Sequence, residues 1–307
     1  MKVAIIGAGL MGHGLALVFA EGGHQVTITD AFPETLHSVK TRIAETLKQL
    51  ERDGRVVDRV SPNPSLEETV ANAEFILEAA PEKLELKQQL FEQIEAAAPS
   101  EAIFASNTSV MPITKIMARV KSKHRAIGTH WWNPPFLVPL VEVIQTAETS
   151  ADTINKTMAL MKQLGKVAVH VKKDVPGFVG NRLQHAMWRE AISLVENGVC
   201  DAETVDLVVK NGFGLRLAVL GPLENADLIG TDLTLDIQNQ VLFDLEDSKT
   251  SSSYLEALVR DGNLGFKSNQ GFKPWTDEKK SALRATVLQH LKTINKLLGS
   301  QGGNHAK

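Results

Sequence analysis

The stretch Lys2-Val-Ala-Ile-Ile-Gly-Ala-Gly-Leu-Met-Gly-12 decides how the chain begins to fold. Lys2 to Ile6 reads as a short apolar strand that glycines stop at once, and a helical pattern then runs from about Met11 to Glu21. Gly7 permits a tight turn, Gly9 lets a ligand approach the backbone, and Gly12 lets helix and strand pack closely. The positive end of the helix, with its unpaired N–H groups, then faces whatever phosphate lies there. Val26 to Thr29 reads as a second strand ending at Asp30, which lies 18 residues after Gly12. A carboxylate at that place accepts hydrogen bonds from both ribose hydroxyls of a dinucleotide and repels a 2′-phosphate. The pattern therefore predicts an NAD site made by Gly7, Gly9, Leu10, Met11, Gly12 and Asp30. A plain loop with Asp30 as a helix cap would require neither the flanking strand and helix nor the acid at that distance.

Working outward, Phe75–Leu77, Ile103–Ser106, Arg125–Gly128, Leu140–Ile144 and Ala168–Val171 are further short apolar runs. Helical patterns such as Glu85–Ala97 and Ala151–Leu164 separate several of them. Strands alternating with helices predict parallel β-α-β units in a doubly wound sheet, hence an α/β fold of the Rossmann type. The texture changes after Lys173. Asp174-Val-Pro-Gly177 is a turn signal, and Gly180–Asn197 and Ala202–Lys210 carry apolar residues at helical spacing. The expected division is a Rossmann NAD-binding domain at 1–173 and an all-α domain at 174–307.

Composition narrows the function classes. The 307 residues are 43% apolar and 22% charged, as in ordinary globular proteins of about two domains. A net charge of −3 gives no electrostatic reason to bind nucleic acid. The single cysteine, Cys200, leaves no internal disulfide framework and fits a reducing compartment. Apolar runs are too short to span a bilayer, and the glycines after Ile6 interrupt any signal-like start, so the cytoplasm is the expected location. The nine histidines form no cluster at metal-ligand spacing, so no metal is expected.

A second informative stretch is Ile127-Gly-Thr-His-Trp-Trp-Asn-Pro-Pro-Phe-Leu-Val-Pro-Leu-Val-Glu-Val-Ile144. Glu142 lies within an apolar strand, where an unpaired carboxylate is costly. His130, just before a Pro-Pro loop that turns the chain back, can supply its partner. In such a dyad the carboxylate orients the imidazole and stabilises the imidazolium, while the other ring nitrogen takes a hydroxyl proton. A satisfied core histidine and an outward-pointing glutamate fit the same spacing, so spacing alone does not choose between these readings.

Beyond these residues, the chain resembles the L-3-hydroxyacyl-CoA dehydrogenase family along nearly its whole length. The matching segments are Gly7–Gly12, Glu78-Ala-Ala-Pro-Glu82, Ala105-Ser-Asn-Thr-Ser109, His130-Trp-Trp-Asn-Pro134, Leu140-Val-Glu142, Pro176-Gly-Phe-Val-Gly-Asn-Arg182 and Gly265–Gly271. The resemblance implies oxidation of a 3-hydroxy group with NAD, His130 as general base and Glu142 as its partner. It also implies Ser109 and Asn181 as donors to the substrate oxygen, and Glu82, Lys87, Asn107, Asn133 and Lys267 as cofactor contacts. A homodimer formed through the helical domain is implied too, consistent with apolar stripes that include Leu207, Val208, Leu215, Leu217 and Val219.

Two departures bear on the substrate. Ser38 to Arg59 mixes acids and bases where the thioester enzymes carry a basic hairpin. Gly212-Phe-Gly-Leu-Arg-Leu-Ala-Val-Leu-Gly-Pro-Leu-Glu224 is longer than the corresponding link of those enzymes. It is similar to the branch acting on free acids, which includes λ-crystallin/L-gulonate 3-dehydrogenase, a pyridine-carboxylate dehydrogenase and carnitine dehydrogenase. Arg216 in this stretch is expected to face the active site and bind the substrate carboxylate through its planar fork of donors, although a surface arginine paired with an acid fits the same position. The alternatives are a 3-hydroxyacyl-CoA substrate, such as 3-hydroxybutyryl-CoA, and a non-catalytic, crystallin-like NAD-binding protein. A lysine-dependent β-hydroxyacid dehydrogenase fits less well, because the helix opening the second domain offers Asn181-Arg182 and no lysine.

Overall fold

The computed structural model describes residues 1–301, with backbone alone for 298–301. Eight strands make one sheet: β1 (Lys2–Ile6), β2 (Gln25–Thr29), β3 (Val60–Pro62), β4 (Phe75–Glu78), β5 (Ile103–Ser106), β6 (Ala126–Trp131), β7 (Leu140–Ile144) and β8 (Val167–Val171). Their order is β3-β2-β1-β4-β5-β6-β7-β8. The chain winds outward from β1 to β3, then crosses back to β4 on the other side of β1. That reversal leaves a crevice at the carboxyl ends of β1 and β4, the usual ligand position in such sheets.

β1 shows why the sheet is covered on both faces. Side chains alternate along a strand. Val3 and Ile5 join the core built with Leu15, Phe19, Ile43 and Leu47. Ala4 and Ile6 join the opposite core, with Phe91, Ile94, Phe104 and Ile116. A strand apolar on both sides suits a parallel sheet clothed by helices.

The sheet is parallel except at one pair, where the chain turns back at the Pro-Pro loop. β7 runs antiparallel to β6, with His130 paired to Glu142 and Trp131 to Val141. Residues 132–139 connect the two strands, and a parallel return needs a crossover of a dozen residues or more. Three prolines in that loop also forbid a helix there. The helix Ala151–Gln163 then carries the chain across to β8, which is parallel to β7.

The chain falls into two compact units, Met1–Arg182 with the segment from Ile294, and Leu183–Thr293. The sequence reading divides the chain at 173. Phe178 is buried beside Phe104 and Val171, which accounts for the turn after Lys173 clustering with the sheet. In the second unit, the helices Ala202–Asn211, Pro222–Ile229, Thr231–Val241 and Ser253–Arg260 have no buried residue. Val219, Leu223 and Phe243 are each about four-fifths exposed. Among the described residues no helix is long and apolar enough to cross a membrane.

Candidate active site

The glycine loop is shaped by contacts that side chains would destroy. Gly7 has φ +104°, and a Cβ there would come within 2.7 Å of the Ala79 carbonyl oxygen across the crevice. A Cβ on Gly12 would sit 1.7 Å from the Gly7 carbonyl oxygen, so helix and loop touch backbone to backbone. A Cβ on Gly9 would meet nothing within 4 Å. That side is open, and no side chain caps the start of the helix Leu10–Glu21. Asp30 accepts hydrogen bonds from Ala8 N at 2.6 Å and Phe32 N at 2.8 Å. Each carboxylate oxygen keeps a second lone pair for a ribose hydroxyl. An open glycine at an uncapped helix start beside an acid fits NAD.

The loops after β4 and β5 are tied together by acids. Lys87 is buried, and its ammonium donates to Glu78 Oε1 at 2.5 Å and to Ala80 O at 3.1 Å. Ser106 donates to Glu78 Oε2 at 2.6 Å, and Ala80 N to Oε1 at 2.6 Å. Burial pushes the Glu78 carboxyl up, against the Lys87 ammonium and the other donors. Glu82 reaches over to the neighbouring loop, accepting from Ser109 N at 2.8 Å and the Thr108 hydroxyl at 2.9 Å. Lys87 and Glu82 thus brace the loop that carries Asn107 and Ser109.

His130 and Glu142 meet because of the antiparallel register, which puts directly opposed side chains on one face. Both are buried, with His130 Nδ1 2.7 Å from Glu142 Oε2. The other carboxylate oxygen, Oε1, accepts Val179 N at 2.9 Å and Gly180 N at 3.0 Å. Burial alone would raise the Glu142 carboxyl, but the hydrogen bonds from His130 and these two N–H groups outweigh it and hold it below the usual range. The carboxylate therefore orients His130 and also seats the first turn of the helix Gly180–Glu196. Trp132 lies against the His130 ring, centroids 5.3 Å apart, and a Cβ on Gly180 would be 2.5 Å from its indole. Phe178 flanks His130 at 5.7 Å.

Asn181, one residue beyond Gly180, donates from Nδ2 to the Ser109 carbonyl at 2.7 Å. Asn107, just after β5, accepts from Trp131 N at 3.1 Å. Asn133 is exposed and precedes Pro134 through a cis bond. Of the residues singled out from sequence, the first unit holds the glycine loop, Asp30, Glu82, Lys87, Asn107, Ser109, His130, Asn133, Glu142 and Asn181. Arg216 and Lys267 lie in the second unit, where both side chains are exposed. The sequence reading did not foresee Glu78 as the partner of Lys87, nor the N–H groups of Val179 and Gly180. Glu78 carried a signal, since it opens the motif ending at Glu82. The backbone groups carried none.

The family profiles described as 3-hydroxyacyl-CoA dehydrogenase, NAD binding domain, and 3-hydroxyacyl-CoA dehydrogenase, C-terminal domain, match residues 2–175 and 177–275. The chain is 33% identical over 302 residues to 5-formyl-3-hydroxy-2-methylpyridine 4-carboxylate 5-dehydrogenase of Mesorhizobium japonicum, covering 97% of this chain and 98% of the relative. A crystal structure of an enzyme of that name, described as an NAD+-dependent dismutase, superposes with a TM-score of 0.90 at 32% identity, covering 97% and 98% of the two chains. The (S)-3-hydroxybutyryl-CoA dehydrogenase of Ralstonia eutropha superposes with a TM-score of 0.74 at 32% identity, covering 90% and 99%. The chain belongs to the 3-hydroxyacyl-CoA dehydrogenase family and is an NAD-dependent dehydrogenase acting on a CH–OH group.

Proposed function

We propose that the protein oxidises the hydroxyl of a 3-hydroxy acid bearing a free carboxylate to the 3-oxo compound. NAD, when bound, accepts the hydride from the carbinol carbon. His130 is the general base. With Glu142 ionised, Nδ1 carries the proton directed at the carboxylate, so Nε2 presents its lone pair to the substrate hydroxyl. The hydroxyl proton passes to Nε2 as the carbon–oxygen bond becomes a carbonyl, and the imidazolium formed is stabilised by Glu142. Asn181 keeps a second Nδ2 hydrogen beyond the one given to Ser109, and with the Ser109 hydroxyl it is the proposed donor to the substrate oxygen. The observation that carries the reading is the buried 2.7 Å contact between His130 and Glu142.

On this reading Gly7, Gly9, Leu10, Met11, Gly12 and Asp30 hold the dinucleotide, with Glu82, Lys87, Asn107, Asn133 and Lys267 as the further contacts the resemblance implies. Arg216 takes the substrate carboxylate. The free-acid assignment is supported by the pyridine-carboxylate relative, matched over almost the whole of both chains, and by L-carnitine dehydrogenase of Streptomyces griseus, 37% identical over 75% of this chain and 70% of the relative. The exposed apolar residues of the second unit support a homodimer, because surface of that kind is normally covered. A monomer mass at micromolar concentration would contradict the dimer.

The test is NADH formation on a panel of L-gulonate, L-carnitine, L-3-hydroxybutyrate, hydroxymethyl-pyridine carboxylates and L-3-hydroxybutyryl-CoA at equal concentration. Turnover of a free acid with little on the thioester is expected. Preference for the thioester, or turnover of none of the free acids, would overturn the free-acid assignment.

A further inference from the structure

The glycine motif does not say what holds its loop in shape. Three carbonyl oxygens around it are gathered by one side chain, Arg42, on the helix Val39–Gln49. Arg42 Nη2 donates to Ala8 O at 2.5 Å and Thr35 O at 2.9 Å, and Nη1 to Gly9 O at 3.3 Å. Its Nε is buried with no hydrogen-bond partner among the described residues. A surface arginine turns its donors to water. This one stays in the loop although one donor is buried and unpaired, which is costly.

The consequence lies on the other side of the same peptides. A trans peptide points its C=O and N–H in opposite directions. Ala8 O and Gly9 O belong to the peptides whose N–H groups are those of Gly9 and Leu10. Drawing both oxygens toward Arg42 turns both N–H groups away from it; Gly9 O is shared with the helix, accepting His13 N at 3.2 Å and lying 3.0 Å from His13 Nδ1, so the hold of Arg42 is firmest on the Ala8–Gly9 peptide. The preceding peptide is fixed from the opposite sense, because Ala8 N donates to Asp30. Gly9 and Leu10 are also where the helix begins without a side-chain cap and where a Cβ at Gly9 would meet open space.

We propose that Arg42 is a positioning residue for the cofactor: it clamps the loop carbonyls so that the N–H groups of Gly9 and Leu10 face the pyrophosphate of NAD. Arg42 touches no phosphate itself. It acts through two peptides, pre-paying their orientation before the dinucleotide arrives. Its positive charge behind the same peptides adds to the field at the helix start.

The experiment compares two ligands that share adenine and ribose. ADP carries a pyrophosphate and adenosine does not, and each is titrated calorimetrically or by displacement of NADH fluorescence. Arg42→Met is expected to weaken ADP by at least about tenfold, the size of a lost charge-assisted interaction, while adenosine changes by less than about twofold. Arg42→Lys, a point charge that cannot span three carbonyls, is expected to fall between. Equal weakening of both ligands, or unchanged ADP affinity, would overturn the proposal. If Arg42→Met does not fold, the ADP-to-adenosine affinity ratio of Arg42→Lys decides alone: a fall supports the clamp and an unchanged ratio removes it.

Discussion

Glu142 uses its two carboxylate oxygens for two different purposes, Oε2 at 2.7 Å from His130 Nδ1 and Oε1 on the N–H groups of Val179 and Gly180. One buried acid therefore sets both the tautomer of the proposed base and the seat of the helix that carries Asn181. Removing its charge should have effects on chemistry and on stability that can be told apart.

Glu142→Gln preserves shape but not charge. Its kcat is expected to fall, because the imidazolium formed on proton transfer loses its counterion, while NADH affinity stays near the wild-type value. Steady-state kinetics with a parallel NADH fluorescence titration checks this. A parallel loss of NADH affinity would mean the substitution has deformed the nucleotide half as well.

The same pair of proteins carries a pH signature. The Glu142 carboxyl lies below its usual range in the folded state. A depressed carboxyl contributes stability that is fully present above its unfolded value, about 4.3, and is lost as pH falls through the folded value. The melting temperature of the wild type should therefore exceed that of Glu142→Gln at neutral pH, and the gap should shrink on acidification below about pH 4. A gap independent of pH would show that the carboxylate charge contributes nothing to stability.

Lys87 and Glu78 form an ion pair with side chains 1% and 0% exposed. Lys87→Met alone leaves a buried carboxylate without its cation and is expected to cost about 3–5 kcal/mol in denaturant unfolding. The double variant Lys87→Met/Glu78→Gln should recover part of that loss, because the uncompensated charge is gone. A double variant no more stable than the single one would contradict the pairing.

Gly9 and Gly12 should separate binding from folding. Gly12→Ala drives a methyl into the Gly7 carbonyl and is expected to lower both melting temperature and NADH affinity. Gly9→Ala meets no protein atom, so stability should stay within about 0.5 kcal/mol while NADH affinity falls steeply. Unchanged NADH binding by Gly9→Ala would place the pyrophosphate elsewhere.

Arg216→Ala should raise KM for a free hydroxy acid by about tenfold or more with little change in kcat, the mark of lost ground-state binding to a carboxylate. An unchanged KM would remove Arg216 from the site.

Much of this was legible in the sequence for identifiable reasons. Lys2–Ile6, the glycines and Asp30 are local signals, each written within a few residues. His130 and Glu142 were legible as candidates, since a histidine before a chain reversal and an acid in an apolar strand each need a partner. Their contact was not, because it depends on the antiparallel register of β6 and β7. The reversal itself was written in the short proline loop, but the pairing of His130 opposite Glu142 was not. Arg42 was hidden for a similar reason. Its partners Ala8 and Gly9 lie more than 30 residues away and offer backbone oxygens, which every sequence has.

The most direct test of the central claim is turnover of the best substrate by His130→Ala, measured beside its NADH affinity. The account expects kcat to fall by at least about a hundredfold, the usual worth of a positioned base, with NADH binding within about twofold of wild type. Near-normal kcat in a variant that still binds NADH would contradict the dyad as the seat of proton transfer.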